Sequence, residues 1–104
     1  MNVIVFSYDP KSIIEPLALA QILEHDKIIG ITTFSENLKD VSIKGFDKIY
    51  YTKESLLNDQ WAYVIDEIFD KEKANYVISV NLKNNIEILA SFSAIKNMLM
   101  LTNI

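Results

Sequence analysis

The sequence predicts a three-layer α/β domain with a doubly wound, parallel sheet of five strands in the order 3-2-1-4-5. Short apolar runs rich in β-branched residues alternate along the chain with longer segments of helical periodicity. The stretch 74–104 reads as strand, helix and strand, a βαβ unit that requires parallel strands. The 104 residues, half of them hydrophobic, suffice for one domain spanning residues 1–104 with a single core.

The first half of the chain contains three predicted strands and one predicted helix. The strands are continuous apolar runs: Asn2–Ser7, Lys27–Thr33 and Asp47–Thr52. The helix is predicted from an N-cap at Ser12, with Glu15 three residues later, to Glu24, and its small residues suit close packing on a sheet. The polar stretch 35–44 lacks periodicity and is predicted to be one helical turn and a loop.

A second helix, beginning near Ser55, is predicted by apolar residues spaced i, i+4, i+7, i+8 and i+11. Those residues are Leu57, Trp61, Val64, Ile65 and Ile68. The charged residues that follow look like paired carboxylates, and we interpret them as a solvated outer face: Asp66, Glu67, Asp70 and Glu72. Trp61 lies on the apolar stripe and is predicted to belong to the core rather than to a ligand platform.

The last third of the chain contains two predicted strands around a helix. The strands are Asn75–Val80 and Met98–Thr102. Asn84 is predicted to cap the helix, with Glu87 at the third position. The predicted buried face of this helix consists of Ile88, Leu89, Phe92 and Ile95.

Composition narrows the range of functions. The net charge of −4 argues against nucleic-acid binding, which needs a basic face. No cysteine is present, so disulfides and thiolate chemistry are ruled out. Arginine is absent as well, and Gly30 and Gly45 are the two glycines, so neither a Walker loop nor a G-x-G-x-x-G fingerprint exists. No apolar run is long enough for a membrane span and no basic leader begins the chain, so we expect a cytoplasmic location.

The predicted switch point between strands one and four is where ligands bind in open α/β sheets. The candidate nucleotide-binding residues at these strand ends are Ser7, Tyr8, Asp9, Thr32, Asn81 and Asn84. In this hypothesis an adenine stacks on Tyr8, Asp9 accepts ribose hydroxyls, and the helix start near Asn84 and Asn85 binds a phosphate. The favoured alternative is that Ser7 and Asp9 are turn residues and Asn84 is a cap.

The sequence offers little catalytic chemistry. His25 is the one histidine, and without a second or third ligand at useful spacing we predict a solvent-exposed residue after the first helix. No Ser-His-Asp or Cys-His arrangement can be assembled around it. We therefore predict no enzymatic activity and no metal site. Tyr50 and Tyr51 alternate on a strand, so one of them is expected to point outward.

One segment resembles a known family. Gly45-Phe46-Asp47-Lys48-Ile49-Tyr50 is similar to the G-x-D-K-V-Y that opens the third strand of electron transfer flavoprotein subunits. Further segments follow the pattern of the N-terminal domain of the α subunit, which has a strand, then a segment with Gly-Arg and Leu-Ala pairs, then a second strand. In that pattern Asn75–Ile78 correspond to the first strand and Leu101–Ile104 to the end of the second. Asn85-Ile86 stand at the Gly-Arg pair and Leu89-Ala90 near the Leu-Ala pair. Ile86 and Ser91 stand where that family commonly has arginines, and Asn103 where it has aspartate.

The resemblance covers nearly all of the chain as a pattern and implies an adenine-nucleotide-hydrolase-like fold. In that family FAD is held mainly by a second, C-terminal domain of the α subunit, and the β subunit carries a structural AMP. The N-terminal α domain is mostly scaffold and subunit interface. The resemblance thus implies a domain that docks on a β-like subunit or on itself and holds no flavin. The alternative is an AMP- or ATP-binding module of the universal-stress-like type.

Overall fold

The computed structural model describes residues 1–35 and 45–98, which form a small α/β domain. The strands are β1 (Asn2–Ser7), β2 (Lys27–Thr33), β3 (Lys48–Thr52) and β4 (Tyr76–Ser79). The helices are α1 (Ile14–Ile22), α2 (Asn58–Lys71) and α3 (Lys83–Lys96), and a 3-10 turn, Pro10–Ile13, precedes α1.

All four strands are parallel and lie in the order β3-β2-β1-β4. Val5 of β1 pairs with Gly30 of β2 on one side and with Ile78 of β4 on the other. The predicted order 3-2-1-4 is therefore confirmed, with the switch point between β1 and β4. Of the predicted fifth strand, Met98 is described and is not in a strand, and the remainder lies outside the described residues. The turn predicted in 35–44 also lies outside the described residues, apart from Ser35.

The central strand β1 is buried on both faces because helices cover both faces of the sheet. Ile4 and Phe6 point into a cluster with Trp61, Ile65 and other residues of α2 and α3. Val3 and Val5 alternate to the opposite side, where they meet the α1 side chains Leu17 and Ala20. This double burial explains why β1 reads as an uninterrupted apolar run.

The start of α1 differs from the prediction. Ser12 is not the cap: Ile13 is the N-cap of α1, and Asp9 caps the preceding 3-10 turn, where its carboxylate accepts hydrogen bonds from the Lys11 N–H (3.0 Å) and the Ser12 hydroxyl (3.3 Å). Pro10 disfavours helical dihedrals at Asp9, which lies in the extended conformation that a cap requires. The helix ends at Ile22, before the predicted Glu24, because Leu23 is extended.

The start of α3 also differs. The helix begins at Lys83 with Leu82 as its N-cap, so the predicted cap, Asn84, is the second helical residue. The Ile86 N–H donates to the Leu82 carbonyl at 2.9 Å and closes the first turn. On the predicted buried face Ile88 and Phe92 are buried, Leu89 packs against the core, and Ile95 is 38% exposed, outside the core cluster of the described residues.

The prediction that the carboxylates of this run are all solvated is wrong for Glu72. Its side chain is 9% exposed, and its carboxylate accepts hydrogen bonds from the Tyr50 hydroxyl and from Lys48 Nζ at 3.0 Å. The Tyr50 hydrogen bond, reinforced by Lys48, lowers the pKa of Glu72, and the same carboxylate raises the pKa of Tyr50. Tyr51 is 55% exposed, so the predicted alternation of the two tyrosines is confirmed. The α2 carboxylate Asp66 is also engaged, by Lys96 of α3 at 2.9 Å.

Both glycines stand at positions that do not suit a side chain. A Cβ at Gly30 would lie 2.9 Å from the Phe46 ring, so a side chain at this position of β2 would collide with the segment that leads into β3. Gly45 has a φ of +105°, in the region that L-residues rarely adopt. The segment that carries the family resemblance therefore begins at a position where glycine is required by the backbone.

Candidate functional site

Asn85 joins the two loops at the switch point. Its side chain is buried, with Oδ1 accepting the Tyr8 N–H at 2.8 Å and Nδ2 donating to the Val80 carbonyl at 3.2 Å. Nδ2 also lies 3.5 Å from the hydroxyl of Ser7. Because Tyr8 follows β1 and Val80 follows β4, one amide holds both strand ends together. The sequence predicted that the helix start near Asn84 and Asn85 binds a phosphate, and the structure adds a bridging role for the Asn85 side chain.

The backbone of the β1 loop is hydrogen-bonded within the chain. Tyr8 donates its N–H to Asn85, and its carbonyl accepts the Thr33 hydroxyl at 2.8 Å. The Ser7 hydroxyl donates to the Asp9 carbonyl at 2.8 Å. Both oxygens of the Asp9 carboxylate cap the turn that precedes α1. The Asp9 carboxylate, which was predicted to accept ribose hydroxyls, thus already has two donors within the fold.

The six predicted site residues separate into three groups. Ser7 and Thr32 are paired in register and are fully buried, and the alternation of β1 and β2 directs them to the α1 side. Thr32 Oγ1 has no hydrogen-bond partner among the described residues. Asp9 and Asn81 are exposed. Tyr8 and Asn84 are the predicted residues that the structure brings together, in one pocket.

That pocket has a volume of about 340 Å³ and lies beside the switch point, between the β1 loop and the starts of α2 and α3. The described residues that line it are Tyr8, Leu56, Leu57, Asn58, Asp59 and Asn84. Four of these six come from the residues just before α2 and from its first turn, which the sequence did not nominate. The sequence analysis began the helix near Ser55 with Leu57 on its apolar stripe, whereas α2 begins at Asn58 and Leu57 is exposed.

Two acidic residues lie at or next to the pocket. Asp59 lines it and accepts a hydrogen bond from the Ser91 hydroxyl at 3.4 Å. Asn58 donates its side-chain N–H to the Glu87 carboxylate at 2.9 Å, so a second negative charge lies directly behind the lining. None of the described lining residues is a lysine. This arrangement suits uncharged or cationic ligands better than anionic ones.

A second feature lies on the opposite face of the sheet. We define the outer α1 face as Ile14, Ala18, Leu19, Ile22 and Leu23. Within it Ile14 is 51% exposed, Leu19 49% and Ile22 82%, although the inner side of α1 already buries Leu17 and Ala20. The helix is therefore largely apolar on both sides, with Glu15 and Gln21 as polar residues of its outer side, whereas the outer side of a surface helix is normally mostly polar. The sequence signal for this face was the scarcity of charged residues between Glu15 and Glu24.

Neither a cluster of metal-ligating side chains nor a membrane-spanning helix is found within residues 1–35 and 45–98. No group of three or more His, Cys, Asp or Glu side chains in these ranges could hold a metal ion. The longest helices described there have 14 residues, fewer than a helix that spans a bilayer needs. His25 is half-buried, with Nδ1 2.7 Å from the Leu23 carbonyl.

Comparison with known proteins gives no relative. A scan against protein-family models, a search of curated proteins and a search of solved structures each found no match to this chain.

Proposed function

We propose that this chain is a non-catalytic interaction domain that pairs with a second copy of itself through the outer α1 face. The observation that carries this proposal is the exposure of Ile14, Leu19 and Ile22 on one side of a helix whose other side is already buried in the core. An apolar surface of this kind in a small domain marks an interaction site, because its exposure to water is unfavourable.

The spacing of these residues favours a second copy as the occupant. Ile14 lies four residues before Ala18, and Ile22 lies four residues after it. Two antiparallel α1 helices related by a twofold axis at Ala18 would place each Ile14 against the Ile22 of the other copy. The small side chain of Ala18 at the centre allows the two helix axes to approach closely.

The polar residues beside this face agree with the same pairing. Glu15 and Gln21 lie three residues before and after Ala18, so each carboxylate would meet an amide rather than another carboxylate. Lys11 and Glu24 lie near opposite ends of the exposed stretch, and the antiparallel arrangement brings these opposite charges together. The nine residues of α1 span about 13 Å, so the interface is small and we expect a weak dimer.

The resemblance to the N-terminal domain of electron transfer flavoprotein α subunits suggests the wider role. In this proposal the chain is a scaffold that takes part in electron transfer through a flavin-carrying partner or domain, and acts in the cytoplasm. Support comes from the segment 45–50, where Gly45 has its left-handed backbone and the Asp47 carboxylate accepts the Ile28 N–H as β3 begins. The full fold in this proposal adds a fifth strand beside β4, in the order 3-2-1-4-5.

The change Ile22→Glu is expected to abolish self-association. Each dimer would lose two buried isoleucines, each worth about 1.5–3 kcal/mol, so the dimer dissociation constant should rise at least about a hundredfold. Sedimentation velocity from low micromolar to near-millimolar protein measures this directly. The matched control is Tyr63→Glu, which places the same charge on a 64% exposed residue of α2 and should leave the dimer intact.

Two results would overturn the proposed pairing through the outer α1 face. A wild-type protein that stays monomeric over the whole concentration range would refute pairing, and a dimer that survives Ile22→Glu would place the interface elsewhere. Capture of a purified electron transfer flavoprotein β subunit by the wild type, but not by Ile22→Glu, would assign the outer α1 face to that subunit instead.

A further inference from the structure

The pocket beside the switch point is an open groove whose volume reaches the lower end of the range of small-molecule sites. Its volume of about 340 Å³ falls within the range of about 300–1,000 Å³ that is typical of ligand pockets. Leu56 and Leu57 provide apolar surface, Tyr8 provides an aromatic ring, and Asn58, Asp59 and Asn84 provide polar groups. A mixture of one aromatic platform with a few polar groups is the usual composition of such sites.

Tyr8 is held rigidly in this pocket. Its N–H and its carbonyl are both hydrogen-bonded, to Asn85 and Thr33, and its ring contacts Trp61 edge-on with the centroids 6.3 Å apart. A fixed aromatic ring loses little conformational entropy when a flat molecule packs against it. Tyr8 is therefore suited to hold a planar heterocycle by stacking.

The polar groups around Tyr8 can recognise the remainder of such a molecule. Asn84 is exposed, and its side-chain amide has no hydrogen-bond partner among the described residues, so one donor and one acceptor are available at the pocket wall. Asp59 receives a single hydrogen bond, from Ser91, and its carboxylate retains capacity to accept hydroxyl groups.

Charge decides between phosphorylated and unphosphorylated ligands. Asp59 and the neighbouring Glu87 are both negative, the described lining contains no lysine, and the Tyr8 N–H is already used by Asn85. A phosphate in this pocket would lie beside these two carboxylates, and no lysine of the described lining would offset their charge. We therefore propose that the pocket binds an uncharged heteroaromatic molecule that carries hydroxyl groups, of the nucleoside class, in preference to a nucleotide.

Titration of isotope-labelled protein with adenosine, guanosine, cytidine and uridine, and with AMP for comparison, tests this proposal by NMR. We expect at least one nucleoside to shift the amide resonances of Tyr8 and Asn84, and AMP to bind more weakly than adenosine. Asn84→Ala should weaken binding about fivefold, the effect of one hydrogen bond. The matched control, Asn81→Ala, changes an exposed asparagine outside the pocket and should have no effect.

A variant that removes the Asp59 charge tests whether electrostatics, rather than packing, sets the preference for an uncharged ligand. Asp59→Asn should reduce the preference for adenosine over AMP, because it removes the negative charge nearest the ligand. The proposal fails if no nucleoside binds at millimolar concentration, if AMP binds as tightly as adenosine, or if Asn84→Ala and Asn81→Ala behave alike. Ile22→Glu should leave nucleoside binding unchanged, so this result is independent of the pairing proposed for the outer α1 face.

Discussion

The change Trp61→Ala is expected to lower the free energy of unfolding by about 4 kcal/mol, within the range of about 3–5 kcal/mol for removal of a buried large aromatic side chain. Trp61 is 1% exposed, and its ring packs against Phe6 with the centroids 5.5 Å apart. It is the largest fully buried side chain among the described residues. Denaturant unfolding followed by circular dichroism measures the loss.

A second substitution at the same position shows what Trp61 contributes. Its indole Nε1–H is buried without an acceptor among the described residues, so Trp61→Phe removes a donor that forms no bond there. The expected cost is below about 1.5 kcal/mol, as for substitutions that keep most of the packed volume. If Trp61→Phe were as damaging as Trp61→Ala, the indole N–H would have a role that core packing does not explain.

The change Asn85→Ala is expected to cost about 2 kcal/mol. It would leave the partly buried Tyr8 N–H without its partner, which costs about 1–3 kcal/mol, whereas the Val80 carbonyl would still accept the Leu82 N–H at 2.8 Å. Hydrogen exchange should show the loss locally, because the Tyr8 amide would become less protected. Denaturant unfolding gives the total.

The adjacent asparagine provides the matched control. Asn84 is exposed and its side chain forms no hydrogen bond within the described part of the chain, so Asn84→Ala should change stability by no more than about 0.5 kcal/mol. Equal losses for the two alanine variants would show that the bridge between the β1 and β4 loops contributes nothing, and would remove the physical reason for the rigidity of Tyr8.

The strands were the most predictable part of the fold. The bounds of β1 and β2 match the prediction because each is a continuous apolar run that polar residues interrupt at both ends. The order 3-2-1-4 followed from the alternation of strands and helices. β4 is shorter than predicted, and its four residues are half-buried in the described structure.

Helix starts were less predictable because they depend on contacts between distant residues. Asn84 has the chemistry of a cap, yet α3 begins at Lys83, and it is the next residue, Asn85, that bonds to Tyr8, 77 residues away in sequence. Asp9 was recognised as a turn residue, but its capping role depends on the 3-10 turn that Pro10 initiates. Periodicity identifies the buried stripe of a helix and leaves its first residue undetermined.

The residues of the pocket were partly predictable from the geometry of a parallel sheet. Tyr8 and Asn84 were expected to lie near each other because the carboxyl ends of parallel strands meet at one edge, and they line the same pocket. Ser7 and Thr32 are also at strand ends, but the alternation of side chains buries them on the other face. Leu56 to Asp59 were missed because strand-end reasoning does not consider the start of a helix packed across the sheet.

Cross-linking through a cysteine introduced at Ala18 tests the proposed pairing most directly. The natural chain has no cysteine, so a single new thiol reports one contact. A residue on the twofold axis lies beside its own copy, within the Cα separation of about 4.4–6.8 Å that a disulfide requires. On mild oxidation, Ala18→Cys should form covalent dimers much faster than Glu67→Cys, an exposed control on α2. Equal rates for the two variants would contradict the pairing through the outer α1 face.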